Sequence, residues 1–311
     1  MQVLLRALEA IRVRWLMGAP RYPVTFVVGP PRCGTTVVGL HLLRARRFAT
    51  IPNVAKAHPR WPTLATNRAL AAGGRDFDYA NHYGKAAGDL APSDGWDLVE
   101  RFFESYREAR ADAAPAARGL IKLVAAFEAL YQAPFLLKNN ANSMRIGALE
   151  QLFPGCFWIH VRRAYPEAAA SLLEARARHG VALGKWWSAA PPQFLGRSFA
   201  DPLEQVAFTL VGLDRYLETE LAPAHAQGRA KLVEYEEFCA RPTDLVAWLD
   251  ARYAATGMRL KPSGWALPER FDASKLPDAV RGPMERTLAP WLDQARLELG
   301  LMGTTRSVPC G

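Results

Sequence analysis

The stretch "FVVGPPRCGTTVVGLHLL", residues 26–43, brackets a turn with Gly29 and Gly34 and follows it with the hydroxyl pair Thr35-Thr36. An apolar run, a glycine-bounded turn and the start of a helical pattern together make an anion site. Backbone N–H groups and the positive end of the helix dipole converge on the ligand there. An ATP-binding loop of the G-x-x-x-x-G-K-[ST] kind puts a lysine directly after its second glycine. In this chain that position is Thr35, and the positive charge sits earlier, at Arg32. A guanidinium grips two oxygens of one anion at once. Without the lysine, the loop is poorly equipped for the β- and γ-phosphates of ATP. Gly29 and Gly34 allow the backbone to turn and approach closely, and Thr35 and Thr36 add hydroxyl donors that also suit a helix start.

Such a loop needs a strand before it and a helix after it. "VTFVVG" (24–29) is a buried-strand run rich in β-branched residues, and "TTVVGLHLLRAR" opens a helix. The alternation continues. "PFLLK" (134–138), "CFWIHV" (156–161) and "AKLVEY" (230–235) read as strands. The helical patterns between and after them are "SMRIGALEQLF", "PEAAASLLEARARHG" with Gly180 as its stop, and "TDLVAWLDARYAATG" with Thr243 as N-cap and Gly257 as stop. Strand-helix alternation implies an α/β fold, a central and mostly parallel sheet flanked by helices on both faces. Residues 53–96 and 181–202 are irregular but carry bulky aromatics; they read as loops and short helices capping the end of the sheet where α/β ligands bind. There is no repeat. The expected organisation is one domain over residues 1–311, with an amphipathic helix in 1–22 and a helical extension in 250–311.

Half of the 311 residues are hydrophobic, enough for a sizeable core, and 39 Lys+Arg against 30 Asp+Glu give a net charge of +9. That balance favours an anionic partner. The basic residues are dispersed and no RNA-binding aromatic motif occurs, so a nucleic-acid partner is not expected. The four cysteines, Cys33, Cys156, Cys239 and Cys310, have no C-x-x-C spacing and fit a reducing compartment, hence a cytoplasmic location. No apolar run is long enough for a membrane span. The N-terminal "MQVLLRALEAIRVRWLMG" reads as a basic amphipathic helix; docking on the domain is the preferred reading, and peripheral membrane contact stays open.

"GPPRCGTT" resembles the P-R-S-G-T-T loop of the sulfotransferases that use 3′-phosphoadenosine 5′-phosphosulfate. The resemblance implies the three-layer, P-loop-like fold of that family, with Pro31, Arg32, Cys33, Gly34, Thr35 and Thr36 holding the 5′-phosphosulfate. Cys33 departs from the usual serine and removes a hydroxyl from that position. The family also holds the donor's 3′-phosphate with an arginine at a strand end and a serine eight residues later. "CFWIHVRRAYPEAAASLLEAR" offers Arg163 and Ser171 at that spacing. "LLKNNANSMRIGALEQLFPGCFWIHVRR", "GKWWSAAPP", "VEYEEFCARP" and "NHYGKAAGDLAPSDGWDLVERFF" are similar to further segments of a bacterial branch, so the resemblance runs from about residue 24 to about 245. The basic K-G-x-x-G loop of the animal cytosolic enzymes is not evident.

The resemblance implies sulfuryl transfer from that nucleotide to a hydroxyl of a saccharide, lipid or small metabolite, releasing 3′-phosphoadenosine 5′-phosphate. In-line transfer asks for stabilised equatorial oxygens, which Arg32, Lys138 at a strand end and the loop N–H groups would supply without a metal. No D-x-D or H-x-D pair marks a magnesium site. The acceptor's proton needs a base. Of six histidines, His160 and His41 lie in apolar patterns and read as core residues, while His58 and His82 lie in the irregular segments. His58 is preferred, with His82, Asp76 and Asp78 as alternatives. A P-loop kinase is the competing enzyme, disfavoured by the missing lysine and by the Arg163/Ser171 pair.

Overall fold

Four runs of β-branched and aromatic residues become strands within a residue or two of where the sequence puts them. They are β1 (Thr25–Val28), β2 (Leu136–Lys138), β3 (Phe157–Arg162) and β4 (Ala230–Glu234). All three pairings are parallel and the spatial order is β2-β1-β3-β4. The structure is a computed structural model and describes residues 2–13, 18–73, 86–103, 118–273 and 275–305.

Parallel neighbours require crossover connections, and helices supply them. In chain order the helices of the described residues are α1 (Gln2–Ile11), α2 (Thr35–Ala45), α3 (Asn53–Ala57), α4 (Pro62–Ala71), α5 (Trp96–Val99), α6 (Arg118–Tyr131), α7 (Ile146–Leu152), α8 (Tyr165–Arg178), α9 (Pro202–Ala226), α10 (Tyr235–Ala240), α11 (Pro242–Ala255) and α12 (Asp278–Thr305), of which α2 to α9 lie between strands. Strand side chains alternate between faces. Phe26, Val28 and Trp158 accordingly pack on one face, against Phe127 of α6, Leu149 of α7 and Leu217 of α9. Val27, Ile159 and Val161 pack on the other, against Leu42 of α2, Phe238 of α10 and Leu249 of α11. The result is a three-layer α/β sandwich. A third apolar cluster joins α8, α9 and α12 through Leu172, Phe208 and Leu292.

The start of α11 differs from the sequence expectation. Thr243 does not cap α11. The helix begins at Pro242 with Arg241 in the cap position, because proline's fixed φ suits the first helical residue, one place earlier than the threonine. Gly257, at φ 80, follows the helix end as expected. Within residues 53–96, the described residues form short helices, α3, α4 and the start of α5. The C-terminal part is less continuous than a helical extension from 250 implies: α11 ends at Ala255 and α12 begins only at Asp278.

Candidate active site

Because the strands are parallel, their carboxyl ends share one edge of the sheet. The order β2-β1-β3-β4 therefore sets Lys138, the loop after Val28, Arg162-Arg163 and Glu234-Tyr235 side by side.

The loop is held by contacts that only certain residues permit. A Cβ on Gly29 would stand 2.3 Å from the carbonyl oxygen of Val161, so glycine is what allows the loop to cross β3 so closely. Ser143, in the turn after β2, clamps it: the hydroxyl oxygen accepts from Gly29 N–H at 3.0 Å and reaches the Gly29 carbonyl at 3.1 Å. Arg32 lies at φ 68, a left-handed conformation uncommon outside glycine. Such strain concentrates at functional sites. Gly34 is at φ 91, and a Cβ there would meet the Tyr235 ring at 2.2 Å. Helix α2 then starts at Thr35 with no side chain capping it. Its first N–H groups have no partner within the helix, and the positive end of the helix dipole lies there. Thr35 is buried and its hydroxyl donates to Asn140 Oδ1 at 3.1 Å.

Arg32 leaves this loop toward α8. Its Nε donates to Ser171 Oγ at 2.9 Å. Arg163 approaches from β3, with Nη1 donating to the Arg32 carbonyl at 3.4 Å. Its guanidinium lies over the Tyr235 ring, 5.2 Å from the centroid, and its Nε is 4.0 Å from Glu236. Arg32, Arg163 and Ser171 thus form one cluster, and Tyr235 packs on both Gly34 and Arg163. In the sequence Tyr235 reads as the end of a strand and the start of the family-like Y-E-E-F segment, with no contact to the loop implied. Arg162 turns away: its Nε donates to Glu234 and its Nη1 to Glu218, each at 3.0 Å. The arginine eight residues before Ser171 is the one that faces the loop.

Cys33 behaves differently from a lost hydroxyl donor. Its side chain is fully buried against Ala168, Leu172 and Phe208. Burial holds its thiol well above the usual range, Asp214 adding to the effect and Arg163 opposing it. Cysteine at this position therefore fills an apolar contact with α8 and α9. Pro31, beside it, is also buried.

On the other side of the loop, Lys138 and Thr36 line a cleft with Leu40, Thr50, Ser93 and Asp94. Burial depresses the Lys138 ammonium below an ordinary lysine; Asp94 opposes the shift and Arg32 reinforces it. Asp94 also accepts the Trp96 N–H at 3.3 Å and lies 3.7 Å from Lys56 Nζ. Residue type and spacing alone give this carboxylate no role. Its signal was the position two residues after Pro92, in the segment similar to the family's P-x-E stretch.

His58 is exposed and stacks on Trp61, with centroids 5.7 Å apart, and is not among the residues lining the cleft. His82, Asp76 and Asp78 lie outside the described residues. His160 is buried 3.5 Å from Asp214, and His41 is buried edge-on to Phe238 and Phe271. Among the described residues, no group of three or more His, Cys, Asp or Glu could hold a metal ion.

Sulfotransferase STF9 from Mycobacterium avium is similar in structure, with a TM-score of 0.50 at 19% identity over 94% of this chain and 81% of that one. Sulfotransferase STF1 from Mycobacterium tuberculosis matches with a TM-score of 0.49 at 15% identity, over 94% and 80% of the two chains. No curated protein sequence matches. The sequence profile of the Sulfotransferase family matches residues 23–251, from just before β1 into α11. That span holds the loop, Lys138, Arg163, Ser171 and Tyr235 and is well over half of the chain, which therefore belongs to the sulfotransferase family.

Proposed function

We propose that this enzyme transfers a sulfuryl group from 3′-phosphoadenosine 5′-phosphosulfate to a hydroxyl of a saccharide, lipid or small metabolite, by in-line displacement. The observation that carries the reading is the contact between Arg32 and Ser171. It joins the loop at the start of α2 to the arginine and serine of the second motif, and we read the joined residues as one extended anion site. Such a site suits a nucleotide with phosphate at both its 5′ and 3′ positions.

In this reading the N–H groups at the start of α2 and the Arg32 guanidinium hold the 5′ end, while Arg163 and Ser171 hold the 3′-phosphate. Lys138 meets the charge that builds on the transferring group. Asp94, in the same cleft, is the base we assign to the acceptor hydroxyl in preference to His58. The tyrosine ring beneath Arg163 fixes its guanidinium, so little reorganisation accompanies binding.

The test is calorimetric titration with 3′-phosphoadenosine 5′-phosphate and, separately, with ATP and magnesium. Tighter binding of the first nucleotide supports the reading. Equal or tighter binding of ATP with magnesium overturns it.

A further inference from the structure

Helix α1 is docked the opposite way round from an ordinary surface helix. Val3, Leu4, Leu8 and Ile11 are 80%, 63%, 44% and 50% exposed. At 3.6 residues per turn these four, with Ala7, fall on one stripe, and Glu9 falls on the opposite side. Glu9 is the buried residue. Its carboxylate accepts from Thr63 N–H at 3.0 Å, Thr63 Oγ1 at 2.9 Å and Leu64 N–H at 3.0 Å. These are the first residues of α4, so Glu9 caps that helix and complements its dipole. The polar side of α1 is the anchor, and the apolar side faces away from the protein.

Among the described residues of α1, α4 and the turn before α4, the exposed charges are all basic. Glu9 is the only acid of α1, and it is turned inward. Arg6 is exposed on one flank of the apolar stripe, and half-buried Arg12 directly follows the helix. Helix α4, which packs against α1, carries no acid and adds exposed Arg68, and the turn before it adds exposed Arg60. Four aliphatic side chains on a helix about 15 Å long offer roughly half of the ~800 Å² per partner that a stable protein interface buries. They are sufficient for an interfacial helix, which inserts its apolar face into the headgroup boundary while its basic residues meet anionic lipid. Among the described residues no helix is long and apolar enough to cross a membrane.

We infer that α1 is a peripheral anchor that seats this enzyme on anionic lipid bilayers. The inference is independent of the donor nucleotide and of the acceptor.

The experiment is co-sedimentation of the full chain with vesicles of phosphatidylcholine alone and of phosphatidylcholine mixed with phosphatidylserine. The protein should pellet with the mixed vesicles and release as salt is raised. Leu4→Glu with Leu8→Glu should weaken that binding by roughly a hundredfold or more, since two apolar contacts become two charges. Arg6→Gln should weaken it by about fivefold. Circular dichroism of the variants should match the wild type, because the substituted side chains face solvent. Failure of the wild type to pellet with mixed vesicles overturns the inference. So does binding that the Leu4/Leu8 variant retains. So does light scattering that shows self-association abolished by the same variant with no vesicle binding, which would make the face a contact between copies.

Discussion

The Nε of Arg32 donates to the Oγ of Ser171 across 139 residues of sequence, at 2.9 Å. One residue belongs to the loop after β1 and the other to the middle of α8. The hydrogen bond joins the loop motif and the arginine-serine motif into a single unit.

This coupling has a measurable consequence. Ser171→Ala removes one neutral hydroxyl and should weaken 3′-phosphoadenosine 5′-phosphate by about 1 kcal/mol. Arg32→Ala removes a charge-assisted donor and should lower turnover by several kcal/mol of transition-state stabilisation. In a double-mutant cycle read by calorimetry the two should couple by ~0.5–3 kcal/mol, as touching residues do. Strict additivity would mean that the contact is broken when nucleotide binds.

Arg163 should discriminate nucleotides by their 3′-phosphate. Arg163→Ala is expected to weaken the 3′-phosphorylated nucleotide by roughly 10- to 150-fold and to leave the analogue lacking that phosphate nearly unchanged. Arg162→Ala should alter neither, because its guanidinium is engaged by Glu234 and Glu218. Titrating both variants with both nucleotides checks this. An equal loss of both nucleotides in Arg163→Ala would make that arginine a support for Tyr235 and the loop. A selective loss in Arg162→Ala would move the site by one residue.

The strands and the helices beside them were legible because their periodicity is set by the sheet itself. A run such as "FVV" has to alternate its side chains between two apolar layers. Parallel order then places Lys138, the loop and Arg163 on one edge without further information. The side-chain directions at that edge were less legible. Arg32 reaches Ser171 from a left-handed backbone conformation, which residue type does not announce for an arginine. Cys33 looked like a weakened ligand and turned out to be core, since the direction of a side chain in a tight turn depends on the helices packed behind it. Asp94 sits before a turn at Gly95, whose φ is 60, and only that turn brings the carboxylate to the cleft of Lys138.

His41 should make the fold acid-sensitive. Burial lowers its pKa from 6.5 to about 4, opposed by the backbone at Pro242 and assisted by Arg44. The unfolded chain takes up the proton near 6.5 and the folded chain only near 4, so the unfolded state binds more protons in between. Stability is complete above the higher value, falls as pH drops through that window and levels off below it. The total loss is roughly 3 kcal/mol. Urea unfolding across the window should show that slope in the wild type and a shallower one in His41→Leu. Parallel slopes would assign the acid sensitivity to other groups.

Lys138 and Asp94 make a prediction with a direction fixed by electrostatics. If Lys138 stabilises the transferring group, it acts as the ammonium, and activity falls as pH rises through its pKa. Burial and Arg32 depress that pKa, so the alkaline limb of kcat/KM should lie below the ~10.4 of a free lysine. Asp94 holds it up. Asp94→Asn removes the carboxylate that favours the ammonium, and the limb should move to still lower pH. If Asp94 is also the base, the same variant should lose about 10²- to 10⁴-fold in rate on the plateau. The two effects separate cleanly. A shifted limb with an unchanged plateau leaves Asp94 as an electrostatic partner of Lys138 and returns the base to the His58 and His82 segments. An unshifted limb with a lowered plateau makes Asp94 the base and removes Lys138 from the alkaline titration. Lys138→Met should abolish the limb, and an alkaline fall that persists in that variant would exclude the lysine as its source.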